Sequence, residues 1–276
     1  MQETNTYSLE YFFQEFDKAM KNLRGEEQEK RILAVASECE AAFGGDSPEY
    51  VAVLSDVGSY YRGQGRFSES SDYFKKAADI LEKTGQGDTA DYATVINNYA
   101  GCLRLMKNYD EAEPLFKKCL AIYEKTIGKE HVLYASALNN LSLVYMDTGD
   151  MDQASDRQKE AAEILLEIPG HLHEAGVSLC NLGSLYIKQG AFDLAEEMAK
   201  EAVKLYETKV GTFNPAYQAS LNTLGLASFK LGKLAEAKAA FLKAKEAVLD
   251  MFGEKHREYA IIEKHIQMVE EAEKQN

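Results

Sequence analysis

The chain of 276 residues has no tryptophan, only four prolines, four cysteines and five histidines. So few prolines leave room for long uninterrupted helices. Cys39, Cys102, Cys119 and Cys180 are far apart and never form a CxxC pair, so in a chain of this length they read as buried, reduced thiols. No run of 18 apolar residues occurs, which excludes an apolar membrane-spanning helix. The opening MQETNTYSLEYFF has no basic stretch ahead of an apolar one and does not read as a signal peptide. Positive charge is also short: 31 basic residues face 45 acidic ones, for a formal net charge of −14. A phosphate backbone needs a basic footprint, so nucleic acid is not an expected partner. The apolar content of 45% is enough for a folded interior. The expectation is a soluble protein of the cytoplasm that contacts neither nucleic acid nor membrane.

The usual signs of chemistry are missing too. There is no GxxxxGKS/T phosphate loop, no GxGxxG and no HExxH, and Gly63-Gln64-Gly65 reads as a helix–helix turn. His171 and His173 form an HxH pair without further ligands nearby, so no metal site is expected. Asn140-Leu141-Ser142 matches a glycosylation sequon but falls within a helical pattern. The chain is therefore expected to be no enzyme and to need no cofactor.

What the chain does contain is repetition. Turns at Gly65-Arg66-Phe67, Lys107-Asn108-Tyr109, Gly149-Asp150-Met151, Gly190-Ala191-Phe192 and Gly232-Lys233-Leu234 recur at spacings of 42, 42, 41 and 42 residues. Tyr50, Tyr92, Tyr134, Tyr217 and Tyr259 keep the same register, with Ala175 in the fourth copy. A small residue follows each turn by five: Ser70, Ala112, Ala154, Ala195 and Ala237. Each copy holds two apolar-periodic stretches around its turn, the pattern of a helix hairpin. Ser47-Pro48 and Asn214-Pro215 place a capping side chain ahead of a first-turn proline. Pro114 falls near the start of a second helix, where its missing N–H is expected to remove a donor that has no partner anyway.

With the turn residue counted as the fifteenth, the units resemble tetratricopeptide repeats. The positions that family keeps small are Gly58, Ala100, Ser142, Gly183 and Gly225, and its usual aromatic is Tyr61, Tyr145 and Tyr186, with Leu103 and Ser228 departing from it. The period and the segment Ala137-Leu138-Asn139-Asn140-Leu141-Ser142-Leu143-Val144-Tyr145 are similar to the longer-helix repeats of kinesin light chains and their prokaryotic relatives. The resemblance implies an all-α fold, a right-handed α-α superhelix (TPR solenoid) of antiparallel helix pairs with a C-terminal capping helix. The expected organisation is a single domain over 1–276: a divergent helix pair at 8–43, repeats at 47–87, 88–130, 131–171, 172–213 and 214–257, and a cap at 258–274.

Positions 4, 8 and 11 of each first helix, such as Leu179, Gly183 and Tyr186, are expected to pack inside. Positions 2, 6, 9 and 13 share another side, which in the resembled family lines a concave groove. There Asn98, Asn140 and Asn181 recur at one position, with Asn97, Asn139 and Asn222 at its neighbour. Asparagine is a poor helix former, so its recurrence requires a reason. A row of carboxamides can donate to and accept from the backbone of an extended peptide. Alternatively, one asparagine of each pair bonds between neighbouring helices and fixes the stacking. Arg62 and Arg104, one repeat apart, are suited to a carboxylate of the ligand. The lysine-rich clamp that some repeats of this family use for chaperone tails is absent. The expected function is thus a non-enzymatic scaffold that binds an extended peptide or a partner helix with acidic residues at one end. The alternatives are a peptide-sensing regulator that changes curvature and a self-assembling adaptor.

Overall fold

The computed structural model describes residues 7–275. Its regular structure consists of helices, thirteen of them α-helices, and their order alternates first and second members of antiparallel pairs. The chain separates into two compact units, Met1–Ile127 and Gly128–Asn276.

The first unit holds three pairs: α1 (Leu9–Asn22) with α2 (Gly25–Phe43), α3 (Pro48–Gly63) with α4 (Phe67–Lys83), and α5 (Ala90–Leu105) with α6 (Tyr109–Thr126). Each second helix also packs against the next first helix, α2 on α3 and α4 on α5. Starts follow local chemistry. The Ser8, Ser47 and Thr89 side chains accept from the backbone N–H groups of Tyr11, Tyr50 and Tyr92, supplying partners that the first turn lacks. The carbonyls at the end of α1 are met by Gln28, whose buried Nε2 donates to Ala19, Met20 and Leu23. Pro114 corrects its expectation. It is the sixth residue of α6, beyond the first turn, so its missing N–H removes an interior bond rather than an orphan donor.

The second unit holds α7 (Val132–Thr148) with α8 (Met151–Glu167), α9 (Leu172–Gln189) with α10 (Phe192–Leu205), α11 (Pro215–Lys230) with α12 (Leu234–Phe252), and a last helix α13 (Arg257–Gln275) that packs on α12. A π-helical turn, Tyr206–Val210, extends α10. The Asn214 side chain caps α11 by accepting from Ala216 N–H. His131 caps α7 through an Nδ1 that accepts from Leu133 N–H at 3.1 Å, and His256 accepts from Glu258 N–H at 3.3 Å at the start of α13.

The inner stripe packs as expected in both units. Leu54, Gly58 and Tyr61, Leu138, Ser142 and Tyr145, and Leu221, Gly225 and Ser228 are all buried; Tyr186 is half-buried. The small positions are points of close approach. A Cβ on Gly225 would lie 2.4 Å from the Phe241 ring. Where the residue is serine, its hydroxyl finds a carbonyl across the pair: Ser142 Oγ donates to Ala154 O at 2.8 Å. The interhelical turns use left-handed backbone, Gly65 at φ 73°, Gly149 at 89°, Gly190 at 77° and Gly232 at 74°. In the second copy Lys107 takes that conformation, at φ 63°, which costs a residue with a Cβ about 1 kcal/mol. All four cysteines are buried and free.

Candidate functional site

The recurring tyrosine is a tether. Tyr50 Oη donates to Glu40 Oε2 at 2.9 Å and accepts from Lys76 Nζ at 2.7 Å. Tyr92 repeats the arrangement with Glu82 and with Lys118 at 2.7 Å. In the second unit Tyr217 donates to Glu207 at 3.0 Å, and Lys243 reaches the same carboxylate at 3.2 Å. Burial and the neighbouring carboxylate raise the Tyr217 hydroxyl to about 12, so it stays a donor. Each tether ties the end of one second helix to the next first helix and to the second helix after it. Its signal is already in the sequence: a glutamate ten residues before the tyrosine and a lysine 26 after it. Where the fourth copy has Ala175, the Tyr206 ring fills the space, so closely that a Cβ on Gly176 would lie 2.7 Å from it. Tyr206 Oη donates to His173 O at 3.2 Å.

With these tyrosines committed to structure, the candidate binding surface is the other side of the first helices. In the first unit Ala52 and Asp56, Thr94 and Asn98, Arg62 and Arg104 are half-buried, while Ser59, Gly63 and Leu105 are exposed. Arg62 Nη1 donates to Asn98 Oδ1 at 3.1 Å across α3 and α5, leaving the Asn98 amide donors without a protein partner among the described residues. The guanidinium also lies 5.9 Å from the Phe74 ring centroid. Burial lifts the Asp56 carboxyl to about 6, helped by Asp17 on α1. Near the starts of α3 and α5 a pocket of about 370 Å³ opens, with Ala52 and Thr94 in its lining.

In the second unit Asn140, Leu143, Asn181, Ser184 and Leu226 are half-buried, Ser136, Asp147, Lys188 and Lys230 are exposed, and Thr223 is buried. Here the two asparagine positions differ. Asn139 is held between three helices: Gln158 Nε2 donates to its Oδ1 at 2.8 Å and its Nδ2 donates to Ser178 Oγ at 2.9 Å. Gln158 is fully buried, and its own Oε1 has no partner among the described residues. Asn222 Oδ1 pairs with His265 Nδ1 at 2.9 Å, joining α11 to α13. Burial lowers the pKa of His265, so the imidazole is neutral and Nδ1–H is the donor. Asn181, by contrast, has no hydrogen-bond partner among the described residues. Asn97, Arg104 and Asn140 are half-buried and each already takes part in an interaction within the protein.

Among the described residues no group of three or more His, Cys, Asp or Glu side chains is placed to hold a metal ion. His173 Nδ1 lies 3.1 Å from Asn214 Nδ2, whereas His171 Nδ1, 3.5 Å from a Glu174 oxygen, makes no hydrogen bond among the described residues, so the HxH side chains do not converge on a shared partner. No described helix is long and apolar enough to cross a membrane.

Stacked antiparallel helix pairs, small residues at their crossings and a left-handed turn between pair members define an all-α helix-pair superhelix. Profiles described as Tetratricopeptide repeat match residues 51–84, 91–165, 133–208 and 180–248, more than half of the chain. The chain belongs to the tetratricopeptide repeat family, whose fold is a scaffold for protein interaction. Among solved structures it is similar to the nearly identical TPR-like repeats of a Podosopora anserina chain described as a kinesin light chain, at 19% identity and a TM-score of 0.63, over 75% of this chain and 98% of that one. It is also similar to BtubC (BKLC) from P. vanneervenii, at 17% identity and 0.66, over 88% and 92%. A third likeness is to the apo form of the quorum sensor NprR from B. thuringiensis, at 16% and 0.60, over 93% and 73%. Identities this low establish the fold and leave the ligand open. No curated protein matches the chain significantly.

Proposed function

We propose that the protein is a non-enzymatic interaction scaffold whose first-helix faces bind an extended segment of a protein partner. The observation that carries this reading is the unused carboxamide of Asn181, half-buried on the face of α9 that also carries Ser184, while Asn139 and Asn222 are consumed between helices. A helix gains nothing from asparagine at such a position, whereas an extended backbone offers both a donor and an acceptor to it. Asn98 adds free amide donors in the first unit, and Arg62 beside it suits an acidic residue of the ligand. Asn140, Asn97 and Arg104 belong to the same proposal by position, and Asn139 and Asn222 support it by fixing the stacking. The four buried, unpaired thiols suit a reducing compartment such as the cytoplasm.

The test is selection of linear peptides from a displayed random library on the intact protein, followed by affinity measurement on the Asn98→Ala, Asn181→Ala double variant. Selected peptides are expected to weaken about tenfold or more, since each lost buried bond is worth about 1 kcal/mol, with the melting temperature unchanged. Unchanged affinity sinks the proposal. Likewise, charge reversal at Arg62 and Arg104 that left all affinities intact would remove the acidic-ligand assignment.

A second reading is a peptide-responsive regulator. It is favoured by the likeness to NprR, which has been solved in complex with its cognate peptide NprX. Solution scattering with and without a selected peptide separates the two: unchanged profiles favour the rigid scaffold, and a change in radius of gyration favours the switch.

A further inference from the structure

The pocket near the starts of α3 and α5 has apolar walls from Leu9, Val51, Ala52, Leu81 and Val95. Its neutral polar residues are already engaged. Ser55 Oγ donates to Val51 O at 2.9 Å, Thr94 Oγ1 lies 2.8 Å from Tyr123 Oη, and Gln86 Nε2 donates to Thr84 Oγ1 at 3.1 Å. Two further lining residues, Glu49 and Asp91, are charged. Neither pairs with a cation among the described residues, in contrast to Glu29, Glu40 and Glu82, each within 4 Å of an arginine or lysine nitrogen. Both lie in the first turns of their helices, whose positive ends accommodate negative charge. That accounts for their presence but leaves the apolar cavity between them unfilled. Asp56, one turn beyond Ala52 on the same face of α3, lies outside the lining and continues the acidic character of that face. Its pKa is raised by burial, with Asp17 the acidic group facing it from α1, and no basic group offsets that.

We propose that this first-unit pocket receives an aliphatic side chain of an extended protein segment whose adjoining lysine or arginine pairs with Glu49 and Asp91. The inference rests on the groove reading above and names the residue pair that the pocket selects. It also orients the ligand. Arg62 lies ten residues along α3 from Ala52, about 15 Å at 1.5 Å per residue, so the basic end of the ligand lies at the helix starts and its acidic end near Arg62. Apolar burial supplies the anchor, and the carboxylates set the sign of the charge beside it.

The test uses three blocked hexapeptides, acetyl-Gly-Ser-Leu-Lys-Ser-Gly-amide and its versions with Gln or Glu in place of Lys. Each is titrated into the isotopically labelled full chain while the amide resonances of Ala52, Ser55 and Val95 are followed. The lysine probe is expected to half-saturate these shifts at about tenfold lower concentration than the glutamate probe, the scale of two exposed charge pairs. The difference is expected to shrink to about twofold or less at about 0.5 M salt. The Glu49→Gln, Asp91→Asn variant, altered only at surface first-turn positions, is expected to abolish the difference at low salt. Equal shifts from all three probes, a preference for glutamate, or a lysine preference that survives in the double variant would each overturn the charge assignment while sparing the groove. If no probe shifts these amides, the pocket is not a binding site and this inference fails, while the groove reading is decided separately by the Asn98→Ala, Asn181→Ala measurement.

Discussion

The two units build the same scaffold and dress it differently. In the first, the half-buried residues on the first-helix face include Asp56, Arg62 and Arg104, with a half-buried Glu49 and an exposed Asp91 at the helix starts. In the second, the corresponding half-buried positions are Asn140, Leu143, Asn181, Ser184 and Leu226, and the residues matching Arg62 and Arg104 are Met146, Ile187 and Phe229. Where the first unit bridges neighbouring helices with an arginine–asparagine bond, the second uses the neutral Gln158–Asn139–Ser178 network. Helix pairing, turns and tethers are indifferent to this change because they use the opposite stripe. Architecture and the proposed selectivity are therefore separable by position within a single helix.

The largest effects should be blind to the difference between the units. Leu54→Ala in the first and Leu138→Ala in the second each remove a fully buried side chain and are expected to cost about 2–5 kcal/mol in urea denaturation. A cost near zero at either site would mean that its unit is not packed as described.

The pH response should distinguish them, and with opposite sign. Asp56 titrates near 6 in the fold against 3.8 when exposed, so the native state holds the extra proton between those values. Stability contributed by the protonated form is lost as pH rises through that window, by about 3 kcal/mol at most at 1.36 kcal/mol per unit. His265 is depressed below 6.5 by burial, so there the unfolded chain holds the extra proton and stability falls as pH drops below 6.5. Hydrogen exchange at pH 5 and pH 7.5 should show α3 better protected at the lower value and α13 better protected at the higher. Asp56→Asn and His265→Gln should each flatten one profile and leave the other.

Within the second unit the two asparagine positions should part company. Asn139→Ala strands Gln158 and Ser178 and is expected to cost about 1–3 kcal/mol of stability. Asn181→Ala should move stability by no more than about 0.5 kcal/mol and reduce peptide affinity. If both behave alike in thermal denaturation, the division of labour between them is wrong. A small effect is also expected at the turns: Lys107→Gly relieves a left-handed lysine in the first unit and should stabilise by about 0.5–1 kcal/mol, and Gly149→Ala in the second unit should lose a similar amount, both read as shifts in thermal denaturation.

The repeat was legible because it is written in residues with restricted jobs. A left-handed turn asks for glycine, a helix crossing asks for a small side chain, and both recur at the 42-residue spacing. The tyrosine register was visible, but its purpose lay in partners ten residues behind and 26 ahead, too far apart for local pattern reading. Which asparagine of each pair faces out was not legible, since adjacent helical residues differ by about 100° and the outcome at Asn139 depends on Gln158 and Ser178 arriving from other helices. Pro114 reads as a first-turn residue only if α6 begins several residues later than Tyr109. The α3–α5 pocket is assembled from residues between Leu9 and Val95, and no motif announces it.

The tyrosine tether has a consequence for how such an array can grow. Its three members extend from Glu40 to Lys76 and from Glu82 to Lys118, each shorter than one period. A tandem copy of residues 46–87 would carry its own tyrosine and lysine and hand the next copy a glutamate. Every clasp on both sides of the junction would remain complete, and the change such a lengthening would require is at Ser71, which stands one period on from the Glu29 that Tyr61 and Arg66 now hold.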